Sequence, residues 1–141
     1  MKSYESGSTI NATPAQVWAV LSDAAAWPNW DSGVIKVEGA VEPGAKIRVT
    51  SAASPDRTFP VKVTALTPDA GMTFAGGMPL GLFRGERTYT LTSTSDSTTE
   101  FRMREVYTGP MVPLIWKSMP DLQPSFDQFA AGLKKRVESG A

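Results

Sequence analysis

The spacing of apolar residues changes once along this 141-residue chain, and the change limits the folds that it can adopt. Between residues 33 and 107, apolar side chains recur at every second position, interrupted by turn sequences such as Pro43-Gly44 and Thr67-Pro68-Asp69. This period is typical of an antiparallel meander, because alternate side chains of a strand point to opposite faces. Beyond residue 112 the apolar positions step by three or four, which predicts helix. The chain therefore predicts a sheet followed by a helical segment.

The alternation divides the middle of the chain into strands separated by short turns. The segment from Gly76 to Gly81 combines glycines with apolar residues and is predicted to be a flexible loop. A three-residue loop, Ser95-Asp96-Ser97, is expected to join the last two strands. The six predicted strands are Gly33 to Glu38, Ala45 to Ala53, Thr58 to Leu66, Met72 to Gly76, Phe83 to Ser93 and Thr98 to Tyr107.

Helices are predicted on both sides of this meander. After a first strand that ends at Ile10, Thr13 and Gln16 form a capping box, and Pro14 occupies the first helical position. At the other end of the chain, Pro120 is expected to divide the helical segment into two pieces. The second piece is long, and one apolar face is predicted for it, made by Leu122, Phe126, Phe129, Leu133 and Val137.

Composition excludes several classes of function. Fourteen basic and fourteen acidic residues balance to zero formal charge, so we expect no nucleic-acid partner. The chain contains no cysteine and no histidine, which argues against thiolate chemistry, a serine-histidine triad and the usual metal sites, and we expect no metal and no cofactor. No apolar run is long enough to span a membrane and no secretion signal is evident, so we expect a cytoplasmic protein without integral membrane association.

The block of residues 10–30, in which the end of the first strand and the capped helix are followed by Trp27-Pro28-Asn29-Trp30, resembles the amino-terminal signature of the START-like (SRPBCC) superfamily, which includes polyketide cyclases and lipid-transfer domains. The resemblance implies one domain over residues 1–141 with an α+β helix-grip fold. In that fold a curved seven-stranded antiparallel sheet wraps around a long C-terminal helix, and two short helices lie between the first and second strands. It also implies a ligand cavity between sheet and helix, with Trp30 in its wall.

One charged residue stands among the apolar inward-facing residues of each of two neighbouring strands. Arg87 shares a face with Phe83, Tyr89 and Leu91, and Glu105 shares a face with Phe101, Met103 and Tyr107. A three-residue loop would place Arg87 opposite Glu105, Tyr89 opposite Met103 and Leu91 opposite Phe101. The pair is either a ligand anchor, a candidate catalytic couple, or a salt bridge that only holds the sheet together.

We expect two further groups of residues to contact a ligand. Tyr89 and Tyr107 could supply hydroxyl groups to a ligand. A methionine-rich apolar set around the glycine-rich segment suits a cavity mouth that admits varied ligands; the alternatives are a dimer interface and core packing, which is the commoner role of an apolar stripe at helical spacing. The complete predicted binding set is Trp30, Phe74, Met78, Phe83, Arg87, Tyr89, Phe101, Met103, Glu105, Tyr107, Met111, Ile115, Trp116, Met119 and Phe126.

Three functions are compatible with these residues. The first is binding of a small hydrophobic molecule of lipid, polyketide or isoprenoid type by a monomer or homodimer. The second is a cofactor-free polyketide cyclase or aromatase that uses Arg87, Glu105, Tyr89 and Tyr107. The third is a protein-interaction module that uses the methionine-rich surface or a sheet edge.

Overall fold

The computed structural model describes residues 2–140, so Met1 and Ala141 of the predicted unit 1–141 lie outside the described range. Its strands form one antiparallel sheet of seven, in the spatial order β1-β7-β6-β5-β4-β3-β2. The predicted seven-stranded sheet and α+β class are therefore confirmed. The strands are β1 Lys2–Ile10, β2 Val34–Glu38, β3 Lys46–Ser51, β4 Phe59–Thr67, β5 Gly71–Met78, β6 Phe83–Ser95 and β7 Thr98–Thr108.

The helical segments on the two sides of the β2–β7 meander match the predicted order. Helix α1, Pro14–Leu21, begins with the predicted capping box, in which the Gln16 N–H donates to the Thr13 hydroxyl and the Thr13 N–H donates to the Gln16 side chain. A short 3₁₀ helix, Ala24–Asn29, follows it before β2. The chain breaks around Pro120 as expected, between α2, Val112–Ser118, and α3, Gln123–Glu138.

The concave face of the sheet packs against α3, and the core lies between them. Phe126, Phe129 and Leu133 of α3 are buried, as the helical spacing predicts. Trp27 is 1% exposed and its indole N–H donates to the Leu21 carbonyl oxygen at 3.0 Å, which ties the 3₁₀ helix to α1. Irregular pairing in β2, β4 and β6 adds bends to the strands, and bends of this kind help a sheet curve around a helix.

Two local predictions are wrong. Strand β5 continues to Met78, so residues 76–78 belong to the sheet and not to a loop. The glycines make this possible, because a Cβ at Gly77 would collide with the Phe83 carbonyl oxygen of the neighbouring strand. Only residues 79–81 form a short 3₁₀ turn.

The second error concerns the turn between β6 and β7. Ser95 pairs with Thr98, so the turn contains only Asp96 and Ser97, and the register shifts between Ser93 and Ser95. The extra residue is thus a β-bulge inside β6 and not the third residue of the loop.

Among residues 2–140, no helix is long and apolar enough to cross a membrane.

Candidate ligand site

A cavity of about 400 Å³ lies between the concave sheet and the helices α2 and α3. Its volume falls within the range of about 300–1,000 Å³ that is usual for sites of small organic ligands. Several of its lining residues are exposed, and they mark an opening where the β3–β4 loop, the end of β5 and the α2–α3 junction meet. These exposed lining residues are Ala53, Arg57, Phe59, Pro60, Gly77, Ser118 and Pro120.

The pleat of β6 and β7 brings the two predicted charges together inside the cavity. Arg87 pairs with Glu105, Tyr89 with Met103 and Leu91 with Phe101, so the predicted register is confirmed. Arg87 Nε donates to Glu105 Oε1 at 3.1 Å, and the Tyr107 hydroxyl donates to Glu105 Oε2. The side chains of Arg87 and Glu105 are 27% and 16% exposed, so this ion pair is largely shielded from bulk water.

The guanidinium of Arg87 is held from a second side by α3. Its Cζ lies 4.6 Å from the centre of the Phe126 ring, a distance at which a cation interacts favourably with an aromatic face. Burial lowers the pKa of Arg87, but the Glu105 carboxylate, together with the neighbouring Tyr89 and Tyr107, more than compensates, and the pKa lies above its ordinary value. Arg87 therefore remains a cation throughout the physiological pH range.

Both tyrosines beside this pair stay protonated at neutral pH. Burial raises the pKa of Tyr107, and the negative charge of Glu105 raises it further. Burial also raises the pKa of Tyr89, and the positive charge of Arg87 opposes that rise only in part. The cluster consequently presents one cation, one carboxylate and two neutral phenols to a cavity whose other lining residues are mainly apolar.

Ten of the fifteen predicted site residues line this cavity. A Cβ added at Gly85, which also lines the cavity, would make ordinary van der Waals contacts, 3.4 Å from the Tyr107 ring and 3.7 Å from the Glu105 carboxyl carbon, so the position has room for a methyl group. The ten lining residues are Phe74, Phe83, Arg87, Tyr89, Met103, Glu105, Tyr107, Ile115, Met119 and Phe126.

The other five lie outside the lining. Trp30 packs behind Phe129, with ring centres 5.2 Å apart, and it is Phe129 that faces the cavity. Phe101 is completely buried and stacks behind Tyr89. Trp116 is outside the lining and stacks on Tyr4, with ring centres 5.1 Å apart.

The methionine-rich set also divides into residues that line the cavity and residues that lie outside it. Met119 lines the cavity, whereas Met78 is 42% exposed at the end of β5. The N–H of Met111 donates to the Leu82 carbonyl oxygen at 2.9 Å, which fastens the start of α2 to the turn after β5. Leu80, at the tip of that turn, is 96% exposed.

Sequence analysis missed the wall opposite the ion pair. This wall is made by inward-facing side chains of β3 and β4. The alternation of apolar residues in these strands was visible in the sequence. It did not show which of the two faces of each strand borders the cavity. Arg57 lies in the loop between these strands and carried no signal. The missed lining residues include Val34, Val49, Ser51, Arg57, Phe59, Val61, Leu122, Ser125 and Phe129.

A curved sheet that grips a long helix around an open apolar cavity defines a helix-grip protein of the START-like (SRPBCC) class. The chain belongs to the family described as polyketide cyclase/dehydrase and lipid transport, whose model matches residues 1–138. No curated protein matches the chain in a sequence search.

Solved structures of low identity share the fold. The ZhuI aromatase/cyclase of Streptomyces sp. R1128 is 12% identical over 97% of this chain and 93% of its own, with a TM-score of 0.75. A Thalictrum flavum norcoclaurine synthase point mutant is 17% identical over 99% and 95%, with a TM-score of 0.73. The di-domain aromatase/cyclase BexL is 18% identical, with a TM-score of 0.72 over 98% of this chain and 47% of BexL, so the chain spans about half of it.

Family and fold together support a ligand-binding or polyketide cyclase-type role for this chain. The family description also points to small hydrophobic molecules as its ligands.

Proposed function

We propose that this protein binds a small hydrophobic molecule of lipid, polyketide or isoprenoid type in the cavity between the sheet and α3. The observation that carries the proposal is an open cavity of about 400 Å³ that is lined by aromatic and aliphatic side chains and contains one polar cluster at Arg87 and Glu105. Apolar lining supplies affinity, and a few convergent polar groups orient the ligand.

Filling the cavity tests this proposal directly. Gly85 lies in β6 and lines the cavity, and a Cβ there meets nothing closer than 3.4 Å, so we expect Gly85→Val to fold, which circular dichroism checks, and to place its methyl groups in ligand space. Thr92→Val is the matched control, because Thr92 lies in the same strand and is exposed. Dodecanoate, farnesol and 2-acetonaphthone, one probe for each ligand type, are titrated into all three proteins by calorimetry.

We expect the wild-type protein and Thr92→Val to bind at least one of these probes, and Gly85→Val to bind it at least tenfold more weakly. Native mass spectrometry of the purified protein should also detect a bound apolar molecule that Gly85→Val lacks. The proposal fails when no probe binds the wild-type protein, or when Gly85→Val binds as tightly as the control.

A second experiment separates a ligand anchor from a purely structural ion pair. The double variant Arg87→Met with Glu105→Leu removes both charges from the cavity and leaves no unpaired ion. Its control is Arg102→Met with Glu100→Leu, an ion pair of 2.9 Å on the exposed face of β7. A folded double variant that has lost ligand affinity supports the anchor, whereas unchanged affinity shows that the pair only holds the sheet.

A cofactor-free cyclase of the aromatase type is the second candidate. It is favoured by the position of the Glu105 carboxylate, which lies inside the cavity beside the permanent cation Arg87 and the neutral phenol of Tyr107. A carboxylate could take a proton from the carbon next to a ketone while the cation stabilises the developing negative charge. The test follows, by absorbance, the cyclisation of an aryl-substituted 1,5-diketone to its cyclic enone with loss of water. If the wild-type protein accelerates this reaction over the rate in buffer alone, Glu105→Gln should abolish the acceleration.

A further inference from the structure

The two edges of the sheet differ in how the rest of the chain covers them. Strand β1 lies along α3, and the side chains of Gln123 and Lys134 each donate to a backbone carbonyl oxygen of β1 at 2.8 Å. Strand β2 forms the other edge. Within residues 2–140, the one side-chain hydrogen bond to its backbone is at its first residue, where the Val34 N–H donates to Ser32 Oγ at 3.0 Å. Beyond Val34, the edge of β2 is therefore open to pairing with another strand.

The side chains of β2 give this open edge a charge pattern. Lys36 and Glu38 lie two residues apart on the outer face of the sheet, with Lys36 Nζ 3.3 Å from Glu38 Oε1, and their side chains are 66% and 50% exposed. Val37, between them, points to the opposite face and packs against the core. Ile35 is skipped by the pairing with β3, so it is a bulge residue, and it is 49% exposed. The regular part of the edge is thus residues 36–38.

This regular part has one antiparallel register with a second copy of itself that avoids like charges. Opposite residues of a strand pair lie on the same face, so a two-fold axis perpendicular to the sheet must pass where one residue meets its own copy. With Lys36 on the axis two ammonium groups would face each other, and with Glu38 on the axis two carboxylates would. With Val37 on the axis, Lys36 of each copy lies opposite Glu38 of the other.

We propose that the open edge of β2 binds β2 of a second copy of this chain, antiparallel and with Val37 on the two-fold axis, so that one continuous sheet runs through both copies. Main-chain hydrogen bonds join the two edges, and two ion pairs between Lys36 and Glu38 determine the register. The proposal goes beyond ligand binding, because residues 36–38 do not line the cavity.

The size of this interface indicates the strength of the dimer. Stable complexes bury about 20–30 residues on each side, whereas β2 has 5 residues. We therefore expect a weak and reversible dimer, with a dissociation constant on the order of 100 μM.

Exchange of charges tests the register. Lys36→Glu turns both opposing pairs into two carboxylates, and Glu38→Lys turns both into two ammonium groups. An equimolar mixture of these two variants restores opposite charges at both places, and so does the double variant Lys36→Glu with Glu38→Lys. Arg84→Glu is the matched control, because Arg84 also pairs with a carboxylate two residues along its strand, Glu86 at 3.1 Å, but lies inside the sheet on β6.

Sedimentation equilibrium over the micromolar to millimolar range measures dimerisation, and circular dichroism checks that the variants fold. We expect the wild-type protein, the double variant and Arg84→Glu to dimerise with similar dissociation constants. Each single variant should dimerise at least about tenfold more weakly, since two attractive pairs become repulsive. The mixture of the two single variants should recover the wild-type dissociation constant.

Three results would overturn the proposal. The first is a wild-type protein that stays monomeric at millimolar concentration. The second is a dimer that both single variants leave intact, because the interface would then lie on another surface, such as the turn that carries the exposed Leu80. The third is a loss of dimer in the single variants that their mixture does not restore, because the two charges would then not face each other.

Discussion

The ion pair between Arg87 and Glu105 permits the most quantitative prediction, which concerns folding stability. Replacing Arg87 with Met leaves the Glu105 carboxylate in the cavity without its cation. Breaking a fully buried pair costs about 3–5 kcal/mol, and an exposed pair contributes about 0–1 kcal/mol. At 27% and 16% exposure this pair is nearer the buried limit, and the contact of Arg87 with the Phe126 ring is lost as well.

Glu105 keeps one compensating interaction, the hydrogen bond from Tyr107. We therefore expect Arg87→Met to lower the free energy of unfolding by about 3 kcal/mol. Adding Glu105→Leu removes the unpaired charge, and the double variant should return to within about 1 kcal/mol of the wild-type protein. The corresponding changes in the exposed pair of Arg102 and Glu100 should each cost less than about 1 kcal/mol.

Urea unfolding, followed by circular dichroism and tryptophan fluorescence, measures these differences, provided that the slope m is the same for all variants. The double-mutant cycle then isolates the coupling between the two side chains. A loss below 1 kcal/mol for Arg87→Met would refute the reasoning, since it would mean that the cavity is wet enough to solvate the carboxylate. A double variant as unstable as the single one would refute it as well.

Three other substitutions have predictable outcomes. Tyr89→Phe removes a buried hydroxyl without a partner, so the unliganded protein should unfold at the same urea concentration as the wild type or a higher one. Gly132→Ala should destabilise by more than about 2 kcal/mol, despite the usual preference of helices for alanine, because its Cβ would collide with the Asp31 carbonyl oxygen; Ala131→Gly is the exposed control. The Asn11 N–H and the Lys134 ammonium lower the pKa of Glu138 below its ordinary 4.5, so this contact stabilises the fold above that pH and its contribution is lost as the pH falls further. Glu138→Gln should therefore reduce the loss of stability on acidification, measured as the urea midpoint from pH 6 to pH 3.

The pairing register of β6 and β7 was predictable because inward-facing side chains recur at every second residue of a strand. Every second residue of β6 and β7 faces the core, so the apolar positions alone determine that Arg87 and Glu105 share the inner face. Their direct opposition required an odd number of unpaired residues between the strands, and the chain supplies it with a two-residue turn plus one bulge residue. The expected three-residue loop was wrong, but the expected pairing of Arg87 with Glu105 was right. A three-residue loop and a two-residue turn with one bulge residue both leave three residues unpaired, so both give the same register beyond the turn.

The glycine-rich segment was not predictable in the same way. Gly76 and Gly77 indicated a loop because glycine is unfavourable in isolated strands. In the folded chain, neighbouring strands approach these glycines so closely that any side chain would meet backbone atoms, Pro60 O at 2.8 Å in the case of Gly76. Such close approach is a property of the assembled sheet, and nothing local in the sequence encodes it.

Local sequence patterns were enough to predict the order of the elements, the capped start of α1, the apolar face of α3 and the inward orientation of Arg87, Tyr89 and Glu105. These features depend on backbone periodicity and on turn and cap chemistry within a few residues. Which of the inward-facing residues border empty space depends on the packing of the whole chain. Phe129 faces the cavity and Trp30 lies behind it, and the opposite wall comes from β3 and β4, because the curvature of the whole sheet sets the distance between it and α3.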